Sequence, residues 1–157
     1  MSRQADVGEA IPPVAMTGAD GTPVAIADFA GKPLVVFFYP KDDTPGCSTE
    51  NKDFSELAPA FAKAGVALLG VSKDPPAKHA KFVAKYGLVA PLASDAATGG
   101  LSDALGIWVE KSMYGRTYMG MERTTFLVDA GGKIARVWRK VNVKGHAADV
   151  LEAAQNL

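Results

Sequence analysis

The 157-residue chain contains little cysteine and little histidine. Cys47 is its one cysteine, and His79 and His146 are its two histidines. A single cysteine excludes an intrachain disulfide and the cysteine-rich zinc sites, and two histidines supply a histidine-based metal site poorly. We therefore expect no metal site. We interpret His79 as a helix-face residue and His146 as a helix-start residue.

The sequence also lacks net charge and long apolar runs. Its 17 basic and 17 acidic residues cancel, and no basic stripe is visible. We therefore expect neither nucleic acid nor an anionic membrane as the main partner. The longest apolar run, residues 34–39, is too short to span a bilayer. The sequence starts with polar residues and shows no signal peptide, so we predict a cytoplasmic protein whose thiol stays reduced.

The length suits one domain, and we predict a single domain over residues 1–157. The first predicted elements are a hairpin of strands 14–16 and 24–26, a buried strand over 34–39 and a helix that begins at Thr44. A buried strand over 66–71 and a helix from Pro75 follow. After them come an irregular segment over 91–120 with a short helix near 101–105, a hairpin of strands 124–128 and 134–141, and a last helix from about Ala147. This order indicates an α/β, thioredoxin-like fold, with a central mixed β-sheet flanked by helices and an N-terminal β-hairpin.

Cys47 lies in the first turn of the helix that follows the buried strand 34–39. Thr44 is predicted as the N-cap and Pro45 as the first helical residue. Cap geometry would aim the Thr44 hydroxyl at the N–H of Gly46 or Cys47. The free N–H groups and the macrodipole at this end of a helix favour a thiolate over a thiol, and they also bind oxyanions.

The pattern alone leaves two interpretations of Cys47 open, a small buried hydrophobe or a reactive thiol. The neighbouring residues 48–52 are small or polar, and the apolar stripe of the helix begins only at Phe54. This favours a partly exposed, reactive thiol. Pro40 is either a strand terminator or part of the same site, and Arg123 taken alone would be an ordinary edge-strand charge. The methionine and aromatic residues of segment 108–121 are more often packing than a substrate site.

Residues 40–47, Pro-Lys-Asp-Asp-Thr-Pro-Gly-Cys, resemble the Pro-x-x-x-Thr-x-x-Cys signature of peroxiredoxins. The signature follows an apolar strand, as it should. The wider run over 37–50 looks like the bacterioferritin-comigratory-protein branch, also called peroxiredoxin Q. Arg123, in the run 122–129, is similar to the distal active-site arginine of the family. The likeness extends from about residue 7 to the C-terminus and supports the thioredoxin-like, peroxiredoxin-type fold.

The resemblance implies a thiol peroxidase that reduces hydrogen peroxide or organic hydroperoxides without a metal, haem or flavin. Cys47 would attack the nearer peroxide oxygen as a thiolate and become a sulfenic acid. Arg123 would favour the thiolate and help to hold the peroxide, and the Thr44 hydroxyl would hydrogen-bond the reacting oxygens. Pro40 would shield the thiol from water. The backbone N–H groups of Gly46 and Cys47 would stabilise the leaving oxygen.

The sequence departs from this branch at Lys52, where many members carry a resolving cysteine five residues after the peroxidatic one. We therefore predict a one-cysteine mechanism in which an external thiol reduces the sulfenic acid. The candidates are thioredoxin, glutaredoxin, glutathione, or Cys47 of a second chain. A monomer or weak homodimer is expected.

Two alternative functions stay open at this point. A non-enzymatic redox sensor would use the same residues. A thioredoxin-fold thiol oxidoreductase usually needs two cysteines at short spacing, and this chain has one.

Overall fold

The computed structural model describes residues 4–96 and 100–157. Residues 1–3 of the polar N-terminus and Gly99 of the segment predicted to be irregular lie outside the described residues. Within the described residues, none of the helices combines the length and the apolar character that crossing a membrane requires.

The chain order of the elements follows the predicted order closely. The strands are β1 Ala15–Gly18, β2 Pro23–Ala25, β3 Leu34–Phe38, β4 Ala67–Ser72, β5 Leu92–Ser94, β6 Trp108–Met113, β7 Arg116–Met121, β8 Thr124–Val128 and β9 Ile134–Trp138. The helices are α1 Pro45–Lys63, α2 Pro76–Tyr86, α3 Leu101–Ala104 and α4 His146–Gln155, with a 3₁₀ turn over Ile26–Phe29.

Seven of these strands form the central sheet, in the order β2-β1-β5-β4-β3-β8-β9. Strand β3 pairs in parallel with β4 and antiparallel with β8, and β1 pairs antiparallel with β2 as the N-terminal hairpin. The sheet is therefore mixed, as the element order predicts.

Strand β3 lies at the centre of the fold and is buried on both faces. Val35 and Phe37 pack into one core cluster, whereas Val36 and Phe38 pack into the other. Helices α1, α2 and α4 contribute to the first cluster and α3 to the second. A strand covered on both faces explains why the run is apolar at every position.

The segment predicted to be irregular is more regular than the sequence indicates. It contains strand β5, which joins the central sheet beside β4, and a separate two-stranded sheet formed by β6 and β7. Much of the β6–β7 hairpin is exposed, including Met113, Tyr114 and Met119. Because exposed apolar residues break the usual alternation of apolar and polar side chains, the pattern did not identify these strands.

Candidate active site

The register of the central sheet brings Cys47 and Arg123 together. Thr124, the first residue of β8, pairs with Phe38, the last residue of β3. Arg123 therefore lies beside the loop that leaves β3 and leads to α1. Its Nη2 donates a hydrogen bond to the Sγ atom of Cys47 over 3.3 Å.

Cys47 is buried, and the prediction of a partly exposed thiol is wrong. Only 1% of the residue is exposed, and it packs in the same core cluster as Phe54. The polar neighbours that favoured exposure, Ser48, Glu50 and Asn51, are buried as well. Two of them form internal hydrogen bonds: Asn51 Nδ2 donates to the Cys47 carbonyl over 3.0 Å, and Glu50 accepts from an arginine. Polar residue types were therefore a poor guide to exposure here.

Glu50 completes a bridge that sequence reasoning missed. Arg123 Nη1 donates to Glu50 Oε1 over 2.6 Å, so the guanidinium joins Glu50 to Cys47. Burial raises the pKa of Glu50 to about 7, although the charge of Arg123 opposes this. In the described part of the chain the second oxygen, Oε2, has no hydrogen-bond partner. The available signal was spacing, since Glu50 follows Cys47 by three residues and so shares its helix face.

Both partners of Arg123, Glu50 and Cys47, affect the pKa of its guanidinium. Burial lowers its pKa, but the electrostatic interactions and hydrogen bonds with Glu50 and Cys47 outweigh this effect, and the pKa of Arg123 is raised overall. The guanidinium therefore remains charged and is a permanent cation beside the sulfur.

Thr44 begins helix α1, but its hydroxyl does not cap the helix as predicted. The first helical bond runs from the Ser48 N–H to the Thr44 carbonyl over 2.8 Å, and Pro45 occupies the first turn. The Thr44 hydroxyl donates instead to the Lys41 carbonyl over 2.9 Å. A cap would use the hydroxyl only as an acceptor, whereas the loop offers a nearby carbonyl that needs a donor.

Gly46 and Pro40 lie on either side of Thr44. A Cβ atom at Gly46 would lie 3.2 Å from Arg123 Nη2, so a glycine here leaves room for the guanidinium. Pro40 is half-buried and directly follows Tyr39, at the start of the loop.

The β6–β7 hairpin adds a second cation near the site. Lys111 is half-buried, and its Nζ donates to the Met121 carbonyl over 2.5 Å. Burial and the charge of Arg123 lower the pKa of Lys111, while Glu122 and, to a smaller extent, Cys47 act in the opposite direction. Lys111 is therefore within electrostatic range of the sulfur. The sequence analysis does not identify Lys111, because it predicts an irregular segment where the β6–β7 hairpin lies.

The two histidines are both buried. His146 begins α4, as predicted, and shares a 2.8 Å hydrogen bond with the Thr125 hydroxyl. Burial lowers the pKa of His146 to about 4, which leaves the ring neutral at neutral pH. His79 lies on α2 and is fully buried rather than simply placed on a helix face. No cluster of three or more His, Cys, Asp or Glu side chains suited to a metal occurs among residues 4–96 and 100–157.

This arrangement suits a sulfur anion that reacts with an electrophile. The sulfur lies in the first turn of α1, where the backbone N–H groups have no helical acceptor, and a guanidinium reaches it from the residue before β8. The same N–H groups and the arginine are donors for a negatively charged oxygen.

Comparisons with known proteins agree with this geometry. Residues 7–137 match the AhpC/TSA family. Peroxiredoxin Bcp of Xanthomonas campestris is 47% identical over 141 residues, which cover 90% of this chain and 86% of that protein. Peroxiredoxin Bcp of Bacillus subtilis is 40% identical over 152 residues, which cover 97% of this chain and 96% of that protein.

Solved structures give the same result. The bacterioferritin comigratory protein of Xanthomonas campestris superposes on this chain with a TM-score of 0.89 at 42% identity, covering 96% of this chain and 98% of that one. Its structures are trapped intermediate and ligand complexes from work on its alkyl peroxide reduction activity. A Xylella fastidiosa PrxQ mutant superposes with a TM-score of 0.91 at 36% identity, covering 99% of this chain and 98% of that one. The chain therefore belongs to the AhpC/TSA family and, within it, to the Bcp/PrxQ peroxiredoxins, which are thiol-dependent peroxidases.

Proposed function

We propose that Cys47 is the peroxidatic residue of this enzyme and that its sulfenic acid is reduced by an external thiol. The observation that carries the proposal is the bridge in which Arg123 donates to Cys47 Sγ over 3.3 Å and to Glu50 over 2.6 Å. It places a charged guanidinium beside the one sulfur of the chain that oxidation could convert to a sulfenic acid.

In the proposed reaction, the Cys47 thiolate attacks the nearer oxygen of the hydroperoxide. A sulfur–oxygen bond forms and the oxygen–oxygen bond breaks, so sulfur is oxidised and the peroxide is reduced. The departing oxygen takes up a proton and leaves as water or an alcohol. Thiolate formation raises the rate only by the thiolate fraction, and most of the acceleration must come from positioning and from stabilisation of the leaving oxygen.

Thr44, Gly46 and Pro40 have separate roles in this scheme. Because the Thr44 hydroxyl already donates to the Lys41 carbonyl, its lone pairs are left to accept the O–H of the hydroperoxide. The N–H groups of Gly46 and Cys47 stabilise the leaving oxygen. Pro40, half-buried at the start of the loop, excludes water from the sulfur.

The second half of the cycle needs a thiol from outside the chain. Cys47 is the one cysteine in the sequence. Lys52 stands where many members of the branch carry the resolving cysteine, and its Nζ lies 5.4 Å from the ring centre of Tyr86. An external thiol would attack the sulfenic sulfur, releasing water and forming a mixed disulfide, which a second thiol would resolve. Thioredoxin, glutaredoxin and glutathione are the candidates.

The remaining features follow from this chemistry. We propose hydrogen peroxide and organic hydroperoxides as substrates, and the work on alkyl peroxide reduction by the Xanthomonas relative supports the organic ones. We also propose a cytoplasmic monomer or weak homodimer, since one unpaired thiol that must be kept reduced suits that compartment.

Peroxide consumption tests the proposal. Native protein and a Cys47→Ser variant are each mixed with peroxide and with thioredoxin, glutaredoxin or glutathione as the sole reductant. We expect continuous turnover by the native protein with at least one reductant, and none by the variant. Equal consumption by the two proteins would show that Cys47 is not the peroxidatic residue. Consumption of one equivalent only, with every reductant, would contradict the external-thiol cycle.

A further inference from the structure

A buried hydrogen-bond network that the reaction does not use lies beneath the loop before α1. We call Tyr39, Asp42 and His79 the Asp42 network. All three residues are at most 2% exposed. The Tyr39 hydroxyl donates to Asp42 Oδ1 over 2.6 Å, and Asp42 Oδ2 lies 2.6 Å from His79 Nδ1. His79 Nε2 lies 3.1 Å from the Ala93 carbonyl in β5.

The bonding pattern fixes the hydrogens of this network. A carbonyl only accepts, so Nε2 of His79 carries a hydrogen and donates to Ala93. The 2.6 Å contact between His79 Nδ1 and Asp42 Oδ2 is the second hydrogen bond of the ring. Burial, and then the charge of Asp42, raise the pKa of Tyr39 well above its ordinary value, so the hydroxyl remains a donor. Both oxygens of Asp42 are therefore bonded.

The network joins the loop to helix α2. The loop, residues 40–44, begins with Pro40 and is followed by Pro45 at the start of α1, and neither proline has an N–H with which to hold the loop in place. Asp43 adopts a left-handed conformation with φ of 60°, which is strained for a residue with a side chain. Such a loop depends on side-chain contacts to keep one conformation.

Helix α2 supplies those contacts from two sides. On the inner side His79 bonds Asp42, and on the outer side Lys85 and Tyr86 bond the Asp43 carboxylate over 2.7–3.0 Å. The Asp42 N–H also donates to Asp74, two residues before α2, over 2.8 Å. The outer contacts are exposed, and exposed ion pairs contribute little stability. Asp74 lies outside the helix, so the buried bond to His79 is the main tie between the loop and α2 itself.

We propose that Asp42 and His79 are positioning residues for the peroxide reaction, holding the loop on α2 so that Cys47 and Thr44 meet Arg123. The two halves of the site come from separately anchored elements: Arg123 directly precedes β8, whereas Cys47 and Thr44 follow the loop. Misplacement by about 1 Å costs a reaction of this kind about a hundredfold in rate. This inference rests on the proposed role of Cys47.

Two reagents separate positioning from thiolate formation. Hydrogen peroxide needs the arginine and the leaving-oxygen donors in register with the sulfur, whereas iodoacetamide depends only on the thiolate fraction. The single-turnover rate constants of Cys47 with each reagent are measured in the native protein and in Asp42→Ala, Asp42→Asn and Tyr39→Phe variants. Leu101→Ala, in the core cluster on the opposite face of the sheet, is the control for lost stability alone.

The Asp42→Asn variant is the conservative rescue. Its carbonyl accepts from Tyr39, and its amide donates to Nδ1 of a neutral His79, so the bonds survive without a charge. We expect the peroxide constant to fall about tenfold to a hundredfold in Asp42→Ala and a few-fold in Tyr39→Phe, and to stay within about threefold of native in Asp42→Asn. Alkylation follows the thiolate fraction alone, so it should slow less than the peroxide reaction in each of them, and Leu101→Ala should keep the native ratio of the two constants.

Two results with the Asp42 variants would overturn the inference. One is an Asp42→Ala variant in which the ratio of the peroxide constant to the alkylation constant is native, because both constants are native or both fall equally. The other is an Asp42→Asn variant that reacts with peroxide as slowly as Asp42→Ala does. If Asp42→Ala does not fold, Tyr39→Phe decides, and a native peroxide constant in that variant would overturn the inference. A native protein whose Cys47 does not react with peroxide would refute the proposed function instead.

Discussion

Two buried carboxylates, Glu50 and Asp42, differ in how completely they are bonded. Asp42 has a partner on each oxygen, Tyr39 and His79. Glu50 has Arg123 on one oxygen and, within the described residues, nothing on the other, and its pKa is about 7. Fully bonded polar groups stabilise one conformation, whereas an incompletely bonded one is costly and marks a place where function constrains the side chain. Asp42 therefore belongs to the scaffold of the loop and Glu50 to the reactive site.

Replacing Arg123, the arginine bonded to Glu50, should have the largest effect on the peroxide reaction. Replacing Arg123 with Met keeps most of the side-chain length but removes both bonds of the bridge. We expect the rate constant of Cys47 with hydrogen peroxide to fall about a hundredfold to a thousandfold, as when one donor to a developing oxyanion is lost. Single-turnover kinetics measures it. Arg136→Met, at an exposed arginine on β9, is the control, and an equal loss there would contradict the role of Arg123.

The two carboxylates should differ in their effect on stability. Asp42→Ala leaves His79 and Tyr39 buried without their partner and should lower the free energy of unfolding by about 3 kcal/mol. Glu50→Gln keeps an acceptor for Arg123 and replaces an oxygen that had no partner, so its cost should be below about 1 kcal/mol. Denaturant unfolding at neutral pH measures both. A larger loss for Glu50→Gln would reverse the comparison.

The raised pKa of Glu50 predicts a pH dependence with a definite sign. Between the ordinary pKa of 4.5 and the folded value of about 7, the folded chain binds more protons than the unfolded chain. The contribution of Glu50 to stability is therefore fully present below about pH 4.5 and is lost as pH rises through 7. Between about pH 6 and about pH 8 the native protein should lose about 1 kcal/mol more than Glu50→Gln does. Parallel pH profiles of the two proteins would mean that Glu50 is ionised throughout this range.

The smallest effect on the peroxide reaction should come from a steric change at Gly46. Gly46→Ala places a methyl group 3.2 Å from Arg123 Nη2 while improving helix propensity. We expect the peroxide rate constant to fall about threefold to tenfold without loss of stability. Thr49→Ala, at an exposed position in the same part of α1, serves as the control. A native rate in Gly46→Ala would show that the guanidinium moves aside without consequence.

The sequence was enough to predict the elements that carry the chemistry. The apolar run of β3, the proline at the start of α1 and the spacing of the signature placed Cys47 in the first turn of a helix. The resemblance then identified Arg123, which the register of β3 and β8 brings to the sulfur. Local patterns sufficed because each of these features depends on a few neighbouring residues.

The polar interior was beyond the reach of the sequence pattern. Glu50 and Asp42 are residue types that usually lie at the surface, His79 is of an intermediate type, and the burial of all three depends on partners far away in the chain. Glu50 pairs with a residue 73 positions later, and Asp42 with one 37 positions later. The predicted cap by the Thr44 hydroxyl is wrong for a related reason, because the hydroxyl donates to the Lys41 carbonyl and does not accept from the helix N–H groups.

Trapping the oxidised sulfur tests the central claim most directly. The native protein is treated with one equivalent of hydrogen peroxide in the presence of dimedone, and the peptide that contains Cys47 is analysed by mass spectrometry. We predict a single dimedone adduct on Cys47, or a mixed disulfide there when a thiol replaces dimedone. An unmodified Cys47 after the peroxide has been consumed would contradict the account.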